Sequence, residues 1–343
     1  MSGLIVQQAG VGFSAFDGCP IFSPFPIFMS RDEVNAQFQR RFHSLVNNEI
    51  DEENKRRKER IDLESVLSQE ITVRSWGVLS RVLNAIASRE ISDASVYFLE
   101  GDYQLGVERL EKGFAYRKSA VACNLCFHLE KRSLLSNKSS ISDVNRLCQL
   151  IHLSVIFRDK VLARLILELL RVVENEDFSD AQFFDFSYKR YSECVGSLFV
   201  LGTSSSLLAG TKYAEVMNSC FEKDFASALN LALDYHMDIS LGLDGCLNDH
   251  NQYASGRWLF DAGFNTADTM PIPFEVISLL RIYPSGSSVL DDLRHPLMSE
   301  ASIFIVGHEF RPDFEDEFLN KVKGVIPRSS IGDLHSDVLK LAK

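Results

Sequence analysis

The chain has 343 residues, of which 45% are hydrophobic and 24% charged, a balance typical of a soluble globular protein and not of a disordered or fibrous one. Its net charge of −11 is concentrated in residues 201–317, which carry 18 acidic and 6 basic side chains, whereas residues 1–200 carry 27 and 25. Such a field repels nucleic acids and membrane surfaces and attracts a cationic partner. Seven scattered cysteines indicate no disulfide framework.

The N-terminal residues lack the basic segment and the continuous apolar run of a secretory signal. No apolar stretch reaches the roughly 18 residues that a membrane-spanning helix needs, so the sequence predicts a cytoplasmic protein. Residues 13–28 contain five phenylalanines interrupted by Pro20, Pro24 and Pro26, which exclude a helix. We expect residues 1–29 to form an extended arm that lies in an apolar groove of its own domain.

Helical periodicity begins at Ser30, which with Glu33 forms a capping-box pattern before apolar residues spaced by four, namely Val34, Phe38, Phe42 and Val46. The mixed-charge run 51–60 predicts a solvated helix supported by pairs such as Glu52–Arg56. Further helices are predicted over 61–89, 92–99, 103–131, 141–157, 159–175, 178–200, 205–218 and 221–236, with a turn at Gly101-Asp102. The segment 159–173 is apolar except for Arg164, Glu168 and Arg171, which is typical of a central helix buried on most sides.

Beyond residue 237 the chain is rich in Gly, Asn, Asp and Pro, and this composition predicts loops between short helices at about 254–262, 273–283, 314–323 and 330–342. Two runs are compatible with strands, 71–76 and 301–307, and only the second lacks a helical alternative of comparable quality. The sequence therefore predicts an all-α fold. It consists of the arm 1–29 and one large, irregular helical domain over 30–343 with a loop-rich C-terminal third, and an internal boundary near residue 200 stays open.

Four metal-ligand side chains fall within one short window: His236, Asp238, Asp249 and His250. They suggest a metal-dependent hydrolase as an alternative function. The 4-3-4 spacing of Phe225, Leu229, Ala232 and His236 places His236 on the apolar helix face, however, where a histidine is usually packed and hydrogen-bonded. The adjacent pair also runs Asp-His and not His-Asp, the order found in helical metal phosphohydrolases. We therefore expect neither a metal nor another cofactor.

No nucleophile, phosphate-loop or metalloprotease motif occurs in the chain, which favours a protein without enzymatic activity. The string CNLCFH, from Cys123 to His128, has neither the spacing of a haem attachment site nor the second pair of a zinc site. It lies within a predicted helix, so we expect both cysteines to pack as small apolar residues.

Acidic and aromatic side chains alternate over the window that contains His236, and aromatic anchors among charges are typical of protein interfaces. We take six of them as candidate partner-binding residues: Asp238, Asp244, Asp249, Tyr253, Trp258 and Asp261. Two alternatives stay open, namely that Trp258 and Phe260 belong to the core and that the acids form a plain solvated surface.

Three segments together resemble the immunity protein 49 family, all-α immunity proteins that are encoded beside bacterial polymorphic toxins. Residues 154–172 resemble its central helix pair, residues 221–239 its later long helix with a terminal histidine, and residues 271–282 its short helix after proline. The resemblance covers about residues 75–300, and a second helical immunity family, linked to DNase toxins, is similar in overall pattern. The resemblance to the immunity protein 49 family implies a cytoplasmic protein that neutralises a cognate toxin by stoichiometric binding.

Toxins of this class are often nucleases with a basic cleft, so we expect the acidic segment 201–317 to occlude such an active site. A helical adaptor protein without a toxin partner is the third reading that the sequence allows.

Overall fold

The computed structural model describes residues 31–47, 52–131, 141–175, 225–241, 271–282, 289–327, 332–334 and 337. The first helices are α1 (Arg31–Asn47), α2 (Glu52–Leu67), α3 (Val73–Glu100), α4 (Tyr103–Lys131), α5 (Ile141–Ile156) and α6 (Lys160–Asn175). They are followed by α7 (Phe225–Leu241), α8 (Phe274–Ile282), a short 3-10 helix (Leu290–Asp292), α9 (Glu300–Gly307) and α10 (Glu317–Val325). No strand occurs among the described residues, so the predicted all-α class is confirmed. Within these ranges, no helix combines the length and apolarity needed to cross a bilayer.

Helices α3 and α4 form a long antiparallel hairpin. A capping box begins α3, because Thr72 Oγ1 accepts from the N–H of Ser75 at 3.4 Å and Ser75 Oγ accepts from the N–H of Thr72 at 3.1 Å. Gly101 ends α3 in the left-handed region with φ 84°, which confirms the predicted turn. The predicted break near residue 90 is wrong, because the buried stripe continues through Ile91 and Phe98.

The two helices of the hairpin approach closely at Gly113 of α4. A Cβ atom at this position would lie 2.7 Å from Ile91 Cγ1, 3.2 Å from the backbone nitrogen of Ile91 and 3.3 Å from the carbonyl oxygen of Ala87. Two of these three atoms belong to the backbone of α3, so a side chain could fit only if the helices moved apart.

We therefore expect Gly113→Ala to lower the free energy of unfolding by about 1–3 kcal/mol, although alanine favours a helix over glycine. Gly77→Ala is the matched control, because its Cβ would meet the Phe127 ring at an ordinary 3.5 Å. That change should stabilise the protein by up to about 1 kcal/mol. Urea denaturation followed by circular dichroism measures both variants, and a stabilised Gly113→Ala protein would contradict the close packing.

Buried apolar side chains form two clusters. Cluster 1 unites the hairpin with α5, α6, α9 and α10 and contains, among others, Leu79, Phe114, Ile151, Ile166 and Leu319. Cluster 2 is smaller and unites α1, α7 and the segment 293–298 through Phe38, Leu229, Leu233, Leu293 and Leu297. Helix α8 contributes to both clusters, because Phe274 and Ile277 lie in the first while Val276 and Leu279 lie in the second. Helix α8 therefore connects the two clusters.

The segment 309–316 packs against α4 through an aromatic stack and several polar contacts. Phe157, in the turn after α5, stacks on Phe114 with centroids 4.1 Å apart and lies 5.0 Å from the Phe310 ring. The backbone N–H of Arg311 donates to the buried carboxylate of Glu111 at 2.8 Å. The Tyr116 hydroxyl donates to Asp316, which also caps α10. The C-terminal part of the chain thus completes the core around α4.

Residues 301–307 lie within helix α9, so the prediction that this run favours a strand is wrong. Ala301, Ser302 and Ile305 are buried while Ile303 is exposed, which is the spacing of one helical face. Arg281 of α8 donates from Nη1 to the carbonyl oxygens of Ile305 and His308, both at 2.7 Å. These tertiary contacts stabilise a helix that its β-branched residues disfavour.

Two further helices differ from expectation. Helix α6 has a solvent-facing side, since Val161 is 72% exposed and the Arg164 side chain 83% exposed, so it is not buried on most sides. In α2, Glu59 accepts two hydrogen bonds from the Arg89 guanidinium of α3 and is not a purely solvated residue. The arm 1–29, the boundary near residue 200 and the helices predicted at 178–200, 205–218 and 254–262 lie outside the described residues.

Candidate functional site

His236 lies in α7 with a fully buried side chain, as its position on the apolar helix face predicted. Its Nδ1 is 2.6 Å from Oε1 of Glu275 in α8, whose side chain is 2% exposed. Burial raises the pKa of Glu275, but the attraction of His236, its hydrogen bond and the nearby His152 outweigh burial and leave this pKa lowered. Glu275 is therefore an ionised carboxylate that accepts a hydrogen bond from Nδ1–H of His236.

A second histidine, His152, contacts α8 from the side of cluster 1. His152 of α5 is 4% exposed, and its Nδ1 is 3.0 Å from Oγ of Ser278. The Ser278 hydroxyl donates to the carbonyl oxygen of Glu275 at 2.8 Å. Burial lowers the pKa of His152 to about 4, and the Glu275 carboxylate offsets only part of this effect. We call His152, His236, Glu275 and Ser278 the buried histidine–glutamate cluster.

The metal-hydrolase alternative needs His236, Asp238, Asp249 and His250 to converge on one ion. Asp238 belongs to α7 together with His236, whereas Asp249 and His250 lie outside the described residues. Among the residues that the structure describes, no three His, Cys, Asp or Glu side chains are grouped so that they could hold a metal. The hydrogen bond of His236 to Glu275 occupies one of the two nitrogens through which it could bind one.

The six candidate partner-binding residues are almost all outside the described ranges. Asp238 lies near the end of α7, which extends to Leu241 and so beyond the predicted end at residue 236. Asp244, Asp249, Tyr253, Trp258 and Asp261 fall in 242–270, of which the structure describes nothing. Their role in binding therefore stays a prediction.

The described part of the acidic segment exposes carboxylates that the residue pattern did not single out. Asp291 and Asp292 of the 3-10 helix and Glu300 of α9 are exposed, and their carboxylates form no ion pair or hydrogen bond with other described residues. Nε2 of His295 is 3.1 Å from the half-exposed carboxylate of Asp234 in α7, so the segment after the 3-10 helix lies against α7. The charge count of residues 201–317 was the signal that could have identified them.

Carboxylates further along the segment are mostly engaged within the chain. Glu309 pairs with Arg158, Glu315 with Lys323 and Glu317 with Lys321, at N–O distances of 2.6 to 2.8 Å. Asp316 bonds to Tyr116. The carboxylates that are free to meet another molecule therefore concentrate at 291–300 within the described part of the segment, with Asp313 as a further exposed acid.

Cys123 and Cys126 lie buried in α4 as free cysteines and belong to cluster 1. Burial raises the pKa of Cys123 strongly and that of Cys126 to about 12, so both are neutral thiols near pH 7. The predicted packing role agrees with these positions.

The buried cluster and the exposed carboxylates can do different things. All four members of the cluster are enclosed, so they act on the packing of α5, α7 and α8. The exposed carboxylates can meet cationic groups of another protein directly.

No protein-family model, no curated protein and no solved structure matches the chain.

Proposed function

We propose that this chain is an immunity protein that binds a cognate bacterial toxin and neutralises it by covering a basic, nuclease-type active site with an acidic surface. The observation that carries the proposal is the uneven charge, with 18 acidic against 6 basic residues over 201–317. Asp291, Asp292 and Glu300 extend this charge to the surface without a cationic partner among the described residues. The all-α fold is the one that the resemblance to the immunity protein 49 family implies.

The physical basis of the proposal is electrostatic complementarity. A cleft that binds nucleic-acid phosphates carries lysine and arginine side chains, and carboxylates attract the same groups. Such steering raises association rates by roughly 10- to 1,000-fold. It acts over about a Debye length, which is about 8–10 Å at physiological ionic strength and longer at low salt. Leu231, one turn before Asp234 in α7, is 57% exposed and offers an apolar contact, which slows dissociation once the complex has formed.

The product of the adjacent open reading frame is the first partner to test. We expect it to be toxic when expressed alone and harmless when expressed with this chain, and we expect the two purified proteins to form a stoichiometric complex. An adjacent product without toxicity, or a toxic one that this chain does not bind, would contradict the proposed function.

Charge reversal then locates the surface. We expect Asp291→Lys with Asp292→Lys to slow association about tenfold or more at low salt and to weaken its salt dependence, because like charges then meet the basic cleft. Asp62→Lys with Glu70→Lys is the matched control, since both residues are exposed, lie outside the acidic segment and give the same change in net charge. Stopped-flow binding at two salt concentrations measures the rates.

A second variant tests the residues that the sequence indicated, by reversing Asp238, Asp244 and Asp249 to lysine. If both sets of reversals bind with the parental rate and salt dependence, the acidic segment is a solvated surface and the interface lies elsewhere. If the control pair slows binding as much as the 291–292 pair, only net charge matters and no local surface is involved.

A further inference from the structure

The buried histidine–glutamate cluster lies where α8 connects the two hydrophobic clusters. His152 comes from α5, which belongs to cluster 1, and His236 from α7, which belongs to cluster 2. Glu275 and Ser278 come from α8, which packs in both. Each hydrophobic cluster is thus connected to α8 by one histidine, and the polar groups that make this connection are surrounded by apolar packing.

The hydrogen bonds assign the proton on His152. The Ser278 hydroxyl uses its one hydrogen in the bond to the carbonyl oxygen of Glu275, so its oxygen must accept from Nδ1–H of His152. Nε2 of His152 therefore carries the lone pair, and it is buried without a hydrogen-bond partner among the described residues. A proton can enter only at Nε2, where it would create an enclosed cation with no acceptor for the new N–H.

We propose that this cluster is an acid-operated joint, which holds α8 against α5 while His152 is neutral and releases it when His152 takes up a proton. Release brings water to Nε2 of His152 and satisfies the new N–H. The hairpin of α3 and α4 contains none of the four groups and keeps its own packing, so it stays folded. This inference does not depend on the proposed function.

The direction of the pH effect follows from the two lowered pKa values. In an open state His152 regains a pKa near 6.5, whereas burial holds it at about 4 in the closed state. The stability that the joint contributes is therefore complete above pH 6.5 and is lost as the pH falls from 6.5 towards 4. The lowered pKa of Glu275 acts in the same direction but at lower pH, because its ordinary pKa of 4.5 is already acidic. Between pH 7.5 and 5.0 the opening constant should rise about 30-fold.

Other charged groups on the elements that pack against α8 are engaged elsewhere or exposed. Arg281 of α8 donates to α9, and His295 pairs with Asp234 beside α7. His308, which follows α9, is partly exposed, and burial and Arg281 lower its pKa while the Glu111 carboxylate offsets part of this effect. Glu300 of α9 is exposed and Arg146 of α5 is partly exposed. Among the described residues, Glu275 is the charged group whose field reaches His152, and its attraction does not overcome burial.

Hydrogen exchange of the full chain, read by mass spectrometry at pH 7.5 and 5.0 and corrected for intrinsic exchange rates, tests the joint. We expect the opening constant of α8 amides to rise about 30-fold at the lower pH. The opening constants of α3 and α4 amides should change by less than about threefold. Unchanged protection of α8, or an equal loss of protection in all helices, would overturn the proposal.

A variant without the titrating group provides the second arm. His152→Phe combined with Ser278→Ala removes the imidazole and its hydroxyl partner together, so we expect the α8 opening constant to lose most of its pH dependence. His43→Ala, which removes an exposed histidine of α1, should keep the full pH response. A pH response in the double variant equal to that of the parent would overturn the role of His152.

If the double variant fails to fold, the titration of His152 in the parent protein decides. Its Cε1–H resonance, assigned by NMR, should titrate with a midpoint near pH 4 in the closed state. A midpoint near the ordinary value of about 6.5 would overturn the proposal.

Discussion

Replacing His236 with alanine is expected to lower the free energy of unfolding at pH 7 by about 3–5 kcal/mol, because it leaves the ionised carboxylate of Glu275 buried without its partner. Glu275 is 1% exposed and lies in the middle of apolar packing, so water cannot replace the imidazole without opening the joint. Loss of the ring also leaves a cavity between α7 and α8. Urea denaturation at pH 7, followed by circular dichroism, measures the change.

Three controls separate the causes. His43→Ala removes an exposed histidine and should cost less than about 0.5 kcal/mol. His236→Leu combined with Glu275→Leu removes both members of the pair, so most of the stability should return. Elemental analysis of the purified parent and of His236→Ala tests the hydrolase alternative, since one equivalent of zinc or manganese that disappears in the variant would favour a metal site. A loss below 1 kcal/mol in His236→Ala would contradict the buried pair.

Replacing Phe157 with alanine is expected to destabilise the protein by about 3–5 kcal/mol, the usual cost of removing a buried phenylalanine. Its ring lies between Phe114 of α4 and Phe310 of the C-terminal segment, and the ring contacts would be lost on both sides. The segment 309–316 would then lose its largest aromatic contact and keep mainly polar ones, such as those of Glu111 and Tyr116. Its hydrogen exchange should therefore increase more than that of α4.

Phe127→Ala is the comparison for this variant, because the Phe127 ring is only partly buried. Lys131 Nζ lies over this ring, 4.4 Å from its centroid. We expect it to cost about half as much or less. Thermal and urea unfolding of the two variants give the comparison. Equal losses would mean that Phe157 does not connect the segment to the core.

The parts of the fold that depend on local signals were predictable. Gly101-Asp102 marks the end of one helix and the start of the next, and α4 begins and ends where the periodicity indicated. The face of α7 that carries His236 followed from spacing alone. Residues 301–307 were not predictable, because their β-branched residues favour a strand locally and α9 is stabilised by contacts from distant residues such as Arg281.

The buried cluster was missed for a similar reason. Glu275 meets His236 across 39 residues of sequence and Ser278 meets His152 across 126, so no short window contains the set. One signal was available, because Glu275 is the only charged residue in the apolar run 271–280 and a charge in such a run requires a partner. Asp291 and Asp292 gave a weaker signal, because acidic, aromatic and histidine residues are more closely spaced over 229–265 than around 291–292.

The division of the core into two clusters has a consequence for the order in which the nascent chain acquires structure. The hairpin of α3 and α4 has a low contact order, so it can form as soon as its residues leave the ribosome. Phe38 of α1 belongs to cluster 2, whose other fully buried members among the described residues begin at Phe225. At the usual rates of translation these partners follow α1 by about 10–40 s, and during that interval chaperones can bind the part of its apolar face that they later cover.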